Sequence, residues 1–563
     1  MKSSKVRVLA SVLVILALLV SGCTTAGTTT TGATTGGTTT GSTTTTAPTQ
    51  TGPAPYDLPF VDEPITLSLF VSLDGKAAMS LTSLEENLTM QHYEEISGIN
   101  IEWYHPSSAT TTAEALNVMI ASGDVTDMIA GIMSASDSID TLIENGIIMR
   151  LNEAIDEHGY YLNQAFTEYP EFYAQVLSYE GNIGLYPSAR LDEITRYFES
   201  FIVRKDWLDE LGLEKPDSVE DWYTVLKAFK TQDPNKNGKN DELPFVHNTN
   251  EELGVPRLSS LWGFNATFFK WNATTVLDGK VVFATDAADF VDYVTTMNKW
   301  YAEGLLDPEY VSTDATGWRE KVLSDQGGMF YGKMNGGIGT LMGSYDFSKN
   351  ANFSLEPVAY ATTKDGKSYD VYSQDIFDRG GTAISANCEN VEAAIKWNDY
   401  MYSKEGAIMA SFGIEGTTFE YDDKGVPHYT ELITKNPDGL SLVNAIAKYA
   451  IGGMGPRMLN DQYYWSAVMA TEQQRMVYPT VSVSSTERKM PNNLLYSQED
   501  FTELNRLMTD IGTYYKEGLH AFIMGTRPLS EMDAFKANLD KMGLKDAIAI
   551  MQDAYDRYIS NIN

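Results

Sequence analysis

The chain has 563 residues, with 41 Lys and Arg against 76 Asp and Glu, a formal net charge of −35 and two cysteines. That length is about two to four domain-equivalents. The acidic balance argues against a broad nucleic-acid surface or a polybasic membrane-binding face. Two cysteines exclude a disulfide scaffold, and no apolar run reaches the roughly 18 residues of a spanning helix.

The first 22 residues read as a signal peptide. Lys2, Lys5 and Arg7 form a basic start, Val8 to Val20 is an unbroken run of apolar or small residues, and Val20-Ser21-Gly22-Cys23 follows. The small residues before Cys23 are similar to a bacterial lipobox, in which the cysteine is lipidated and the bond before it cut. An ordinary secretory signal with an incidental cysteine is the alternative. Two acyl chains anchor stably where one is marginal, at ~0.8 kcal/mol per buried methylene. With Cys23 acylated, Cys388 has no partner and reads as a small buried residue.

Residues 23–56 form a tether of Thr and Gly with Ala, Ser and Pro, uncharged throughout. Such a composition buries too little apolar surface to fold, and about 30 residues of it span ~30 Å as a flexible coil.

The globular body begins near Asp57. Ile65 to Leu69 and Ile99 to Trp103 alternate with period two and read as strands, and Asp127 to Ala130 as a third. A helix is predicted over Leu81 to Ile96, closing at Ser97-Gly98, and another carries Leu116, Met119 and Ile120 on one face, ending at Gly123. Strand, helix, strand, helix, strand implies a parallel sheet with covering helices, whose ligands bind beyond the carboxyl ends of the strands. Further on, Ser218 is a good N-cap for the stripe Val219, Trp222, Val225, Leu226 and Phe229. Val391 to Tyr402, Glu503 to Tyr515 and Lys541 to Tyr558 read as helices. Trp222, Trp300 and Trp397 fall on helical stripes and read as core.

The most specific chemistry is Asp233-Pro-Asn235-Lys-Asn237-Gly238-Lys239-Asn-Asp241-Glu242. Ca²⁺ takes six to eight oxygens at ~2.3–2.6 Å. Oxygens at positions 1, 3 and 5, Gly238 at position 6 and the Lys239 carbonyl at position 7 match the first half of an EF-hand loop. Position 12 is Pro244, so the usual bidentate Glu is missing; Asp241 and Glu242 can close the shell instead. No helix follows, because Leu243-Pro244-Phe245 reads as extended. A solvated turn without an ion is the alternative, and any ion here is structural, since no substrate-activating group accompanies it.

Catalytic motifs are lacking. The six histidines form no H-x-H or H-x-x-x-H pair, and neither a G-x-S-x-G elbow nor a phosphate-binding P-loop occurs. Trp262 and Trp271, which bracket a Gly-Phe-Asn-Ala-Thr-Phe-Phe-Lys stretch, sit where a cleft-facing aromatic would. Sugar rings pack their C–H faces on indole and phenol rings, while their hydroxyls need amides, carboxylates and Arg.

Distributed stretches resemble the extracellular solute-binding proteins of family 1, the lipoprotein receptors of bacterial ABC sugar importers. They include Ala121-Ser-Gly-Asp124 with Asp127, Arg204-Lys-Asp-Trp-Leu208, the 233–242 turn, Tyr301-Ala-Glu-Gly-Leu-Leu-Asp-Pro308, Gly413-Ile-Glu-Gly416, Phe522-Ile-Met-Gly525 and Gln552-Asp-Ala-Tyr-Asp-Arg-Tyr558. The pattern is most similar to the large LipO-type members, which include calcium-containing alginate-binding proteins. The resemblance implies an α/β fold of two lobes joined by crossing segments, with a hinge, an inter-lobe cleft and a helix-rich C-terminal part. Residues 57–187 and about 327–375 are expected in one lobe, and 188–326 and about 376–563 in the other. It implies Ca²⁺ held by Asp233, Asn235, Asn237, the Lys239 carbonyl, Asp241 and Glu242, and no catalysis.

The candidate ligand residues are Trp262 and Trp271 as stacking platforms, Arg204 and Arg457 as hydroxyl or carboxylate partners, Glu415 as an acceptor and Tyr186 beside a lobe crossing. The expected protein is a monomer, tethered by lipid to the outer face of the cytoplasmic membrane, that binds a carbohydrate and delivers it to a membrane permease. A receptor for peptides or another non-sugar solute, and a surface glycan hydrolase, stand as alternatives.

Overall fold

The structure is a computed structural model and describes residues 54–136, 138–247, 254–269, 271–451 and 462–562. The signal peptide, Cys23, most of the tether and Arg457 lie outside the described residues.

The first lobe is built on β1 (Ile65–Phe70), β2 (Ile99–Tyr104), β3 (Met128–Ala130) and β4 (Tyr186–Ala189). In β1, Leu67 and Leu69 point into the core while Thr66 faces solvent, and β2 alternates likewise. β1 pairs in parallel with both β2 and β3, which the helices between these strands allow by carrying the chain back along the sheet. The Asp127 carboxylate locks that junction by accepting from the Ser68 amide at 2.8 Å and its hydroxyl at 2.7 Å. The first helix is shorter than predicted, Leu88–Ser97. Asn87 caps it by accepting from Thr89 and Met90, and its extended backbone excludes Leu84–Glu86, which coil into a separate turn. The next helix, Thr112–Ser122, opens on a Thr111–Glu114 capping box and stops at Gly123, where φ is 74°.

The second lobe holds β5 (Glu199–Arg204), β6 (Leu243–Phe245), the hairpin β7 (Thr274–Leu277) and β8 (Lys280–Phe283), β9 (Gly327–Lys333) and β10 (Leu355–Val358). Its main sheet runs β10-β5-β9-β6. The chain then returns, and β11 (Phe377–Ile384) completes the first sheet in the order β2-β1-β3-β11-β4, antiparallel to β3 and β4.

This pairing reverses the expected division after residue 326. The segment 327–375 carries β9 and β10, which flank β5 in the second sheet, while 376–384 joins the first. Helices Val391–Asp399 and Lys404–Phe412 stay with the first lobe, and a small additional core of Phe412, Phe419, Ile433 and Ile446 is attached there. Asn87 fastens it through bonds to the carbonyls of Lys448 and Ala450, each at 3.2 Å. Only from about residue 469 do core residues belong to the second lobe again.

The C-terminal part is helical. The predicted helix over Glu503–Tyr515 is the middle of a longer one, Gln498–Ile523. The finish predicted over Lys541–Tyr558 is two helices, Met532–Lys541 and Leu544–Ile562, broken at Gly543, where φ is 98°. Each lobe has its own core: Trp222 and Trp300 in the second, Trp397 in the first. Cys388 is buried, and that burial pushes its thiol up to about 11.

Candidate functional site

A pocket of about 70 Å³ lies where the first lobe meets the C-terminal segment of the second. The first lobe supplies Asp140 from the helix after β3, Gln175 to Tyr179 from the end of helix Pro170–Val176, and Phe377 at the start of β11. The other wall is Asn493 to Phe501, which leads into helix Gln498–Ile523. Ser497 starts that helix by accepting from the Asp500 amide at 3.0 Å, which sets Gln498 and Phe501 in its first turn against the pocket. The Thr141 hydroxyl reaches Gln498 Oε1 at 3.2 Å across the gap.

The polar groups of this pocket are ordered by their neighbours. Asn493 is 2% exposed, and its Nδ2 faces three acceptors: the Phe377 carbonyl, Gln175 Oε1 and Asp375 Oδ2. That fixes the amide orientation and leaves Asn493 Oδ1 buried without a hydrogen-bond partner. An orphaned acceptor of this kind costs about 1–3 kcal/mol until a donor meets it. Asp375 is itself held by an ion pair with Lys489 and by the Asn492 amide. Gln175 donates to the Tyr558 hydroxyl at 3.1 Å; burial, with the Glu171 and Asp375 carboxylates, holds that phenol above its ordinary range. Tyr179 lies under the Arg557 guanidinium, 4.7 Å from the ring centroid, so its face is oriented rather than free to turn. Buried amides, a carboxylate and aromatic faces in one pocket suit a ligand that is hydroxylated at its edges and apolar on its faces.

The expected ligand residues are scattered differently. Trp262 is core: 6% exposed, its indole N–H donates to Asp292 at 2.9 Å and its ring meets Tyr293 edge-on. Arg204 is fully buried at the end of β5, where Asp206 at 2.7 Å and Asp325 at 2.9 Å neutralise it between Trp207 and Phe353. Tyr186 is fully buried in β4, its phenol pushed well up by burial and by Asp399. Each of these three is enclosed in the core of a lobe and none lines the pocket. Glu415 is exposed, but in a turn beyond helix Lys404–Phe412 rather than at the pocket. Trp271 is half-buried, with its ring 5.1 Å from that of Phe501 on the pocket wall. Sequence reading missed Asn493 and Tyr179. The Pro491-Asn492-Asn493 run ahead of a Ser cap signals a helix entry, but nothing local says what that entry faces.

The 233–242 turn folds tightly on itself, with positive φ at Asp233, Lys236 and Gly238. Asp233 accepts from the amides of Asn237 at 3.1 Å and Gly238 at 3.0 Å, and Asn237 Oδ1 accepts from Lys239 at 2.7 Å. β6 follows in place of a helix, as the sequence predicts. No group of three His, Cys, Asp or Glu that could hold a metal occurs among the described residues. The set nevertheless fits a hard cation through mixed oxygens. Glu242 is 1% exposed, its Oε1 has no hydrogen-bond partner, and burial together with Asp233 and Asp241 raises its carboxyl above the ordinary range. Crowded carboxylates with an orphaned buried oxygen are what a divalent ion relieves.

The geometry is that of a two-lobe binding protein, and comparison with known proteins gives its class. Residues 80–408, more than half of the chain, match the model of the bacterial extracellular solute-binding protein family. The chain belongs to that family. Among curated proteins it is 25% identical over 508 residues to the fructooligosaccharide ABC transporter substrate-binding protein FusA of Streptococcus pneumoniae, covering 87% of this chain and 90% of FusA. It is 26% identical over 360 residues to lipoprotein LipO of Bacillus subtilis, covering 63% and 67%. Among solved structures, alginate-binding protein AlgQ2 without calcium ion superposes with a TM-score of 0.68 at 23% identity, over 88% of this chain and 99% of that one. An HMO-binding ABC-transporter-associated solute-binding protein of Bifidobacterium longum infantis superposes with a TM-score of 0.70 at 21% identity, over 88% and 99%. These superpositions show the fold: two α/β lobes of a substrate-binding protein. A FusA EF-hand mutant is also among the solved relatives.

Proposed function

We propose that the protein is a surface receptor that holds an oligosaccharide between its lobes and passes it, unaltered, to the permease of an ABC transporter. The observation that carries this reading is the pocket between the lobes, where the unpartnered Asn493 Oδ1 stands among Gln175, Asp140 and the rings of Tyr179 and Phe501. Sugar hydroxyls would donate to Asn493, and ring C–H faces would lie on the aromatics. Relatives named for fructooligosaccharide and for polygalacturonan/rhamnogalacturonan support the ligand class. Trp271 is retained as an aromatic contact and Arg457 as a polar one; Glu415 has no role at this pocket.

The pocket lining favours binding over hydrolysis, since Asp140, the single carboxylate among the described residues that line it, lacks the second acid that hydrolysis needs and is already engaged by Asn182 at 2.7 Å, the Glu180 amide at 3.2 Å and the Ser178 hydroxyl. Asp233, Asn235, Asn237, the Lys239 carbonyl, Asp241 and Glu242 would hold a structural Ca²⁺, which supplies the positive charge that lets these carboxylates crowd. Cleavage before Cys23 and its acylation would tether the receptor, as a monomer, at the outer face of the cytoplasmic membrane. The LipO relative supports the anchor.

The test is a thermal-shift and calorimetric screen of the purified chain against fructans, oligogalacturonides, milk oligosaccharides and peptides, with chromatography of the recovered ligand. Saturable binding of a sugar recovered intact is the expected result. Hits confined to peptides, or a shortened sugar, would refute the reading.

A further inference from the structure

A second groove, of about 270 Å³, runs along the outer side of helix Gln498–Ile523. Its floor is Met508 and Gly512, one wall is Phe268, Phe269 and Trp271, and the other is Thr509, Thr513 and Lys516. Phe268 and Trp271 pack in part against the core of the second lobe and leave the rest of their surface to the groove. Phe269 is 58% exposed, and Trp271 adopts φ of 70°, a conformation that a bulky residue takes only when its surroundings impose it. Gly512 is cut to the groove: a Cβ there would fall 2.2 Å from Phe268 Cε1, so only glycine lets that ring lie against the helix. The Thr509 hydroxyl donates to the Asn505 carbonyl at 2.7 Å and the Thr513 hydroxyl to the Thr509 carbonyl at 3.1 Å. Both oxygens therefore keep lone pairs that face outward as acceptors.

The groove and the inter-lobe pocket adjoin through one pair of rings. Phe501 lines the pocket, and its ring meets that of Trp271, which lines the groove, at 5.1 Å with the planes tilted by 56°. From Phe501 to Lys516 the helix advances ~22 Å at 1.5 Å per residue. We infer that this groove is an extended subsite for the same ligand, so that the receptor takes a linear oligosaccharide long enough to leave the pocket over Phe501 and lie across Trp271 and Phe269. The inference rests on the oligosaccharide reading above and adds chain length to it. Ring faces would lie on Phe269 and Trp271, and hydroxyls would donate to Thr509 and Thr513.

The experiment is calorimetric titration of the full mature chain with size-fractionated linear fructans, oligogalacturonides and maltodextrins of two to eight units. Phe269→Ala and, on the exposed helix face, Thr513→Arg are the variants. In the unsubstituted chain, affinity within the binding series is expected to rise with length. Each variant is expected to weaken the longest member by about fivefold, the scale of one lost aromatic contact, and to leave the shortest binder unchanged. Variants that change no length, as a protein-docking groove would give, or that weaken short and long alike, would overturn the inference while leaving the receptor reading intact. If no member binds the unsubstituted chain, the receptor reading falls and this inference with it.

Discussion

Arg204 illustrates how a residue type misleads when its surroundings are unknown. A lone Arg beside an aromatic suits a sugar site equally well as a core ion pair. Here Asp206 and Asp325 neutralise it and the Trp207 and Phe353 rings cover its faces. Arg204→Ala would strand two carboxylates and is expected to cost about 3–5 kcal/mol in urea unfolding, with ligand affinity unchanged. His247 and His520 carry a second residue-scale consequence. Burial lowers them to about 3 and about 4, and His247 Nδ1 accepts from the Val255 amide at 2.9 Å, a bond that protonation would break. Their folded values lie below the ordinary 6.5, so the unfolded chain takes protons that the fold refuses. Stability is therefore full above about pH 6.5 and falls as the pH drops towards 4, by about 1.4 kcal/mol per pH unit for each histidine. Buried Asp370 and Asp399, whose carboxyls are raised, act in the opposite sense. Their contribution cancels when the parent is compared with His520→Gln, whose melting temperature should fall less steeply over that window.

At the scale of elements, caps and turns were legible because their chemistry is local. Ser218 does cap the Val219–Thr231 helix, accepting from Asp221 at 3.1 Å, and the predicted stripe is its buried face. Ser497 has the same chemistry but positions the pocket as well. Ser497→Ala should cost about 1 kcal/mol of stability and loosen Gln498 and Phe501, so ligand affinity should fall with it. The 233–242 turn was legible for the same reason, since its donors are close in sequence. Chelation is expected to lower the melting temperature by leaving Asp233, Asp241 and Glu242 in mutual repulsion, and added Ca²⁺ to restore it. In Glu242→Gln the chelator should have less effect. Helix lengths were less legible: the breaks at Asn87 and Gly543 depend on where the flanking chain must turn.

For the whole molecule, a ligand held between two separately cored lobes stabilises both. At one hundred times its Kd it should add ~2.7 kcal/mol to unfolding, read as a concentration-dependent melting temperature. The exchange of 327–375 and 376–384 between the expected lobes belongs to this scale. β9 is buried along most of its length, and a strand of that kind fits the centre of either sheet equally well by composition.

The sequence alone determined what near neighbours in the chain can settle. It determined the alternating strands, the capped helices, the oxygen-rich turn, and the ordered stretches that place the chain among solute-binding proteins. Tertiary structure alone decided which sheet each strand joined, that Trp262, Arg204 and Tyr186 are enclosed, and that Asn493 and Tyr179, from different lobes, line one pocket. Those outcomes depend on pairings hundreds of residues apart, where a side chain's role is set by the groups that surround it and not by its type.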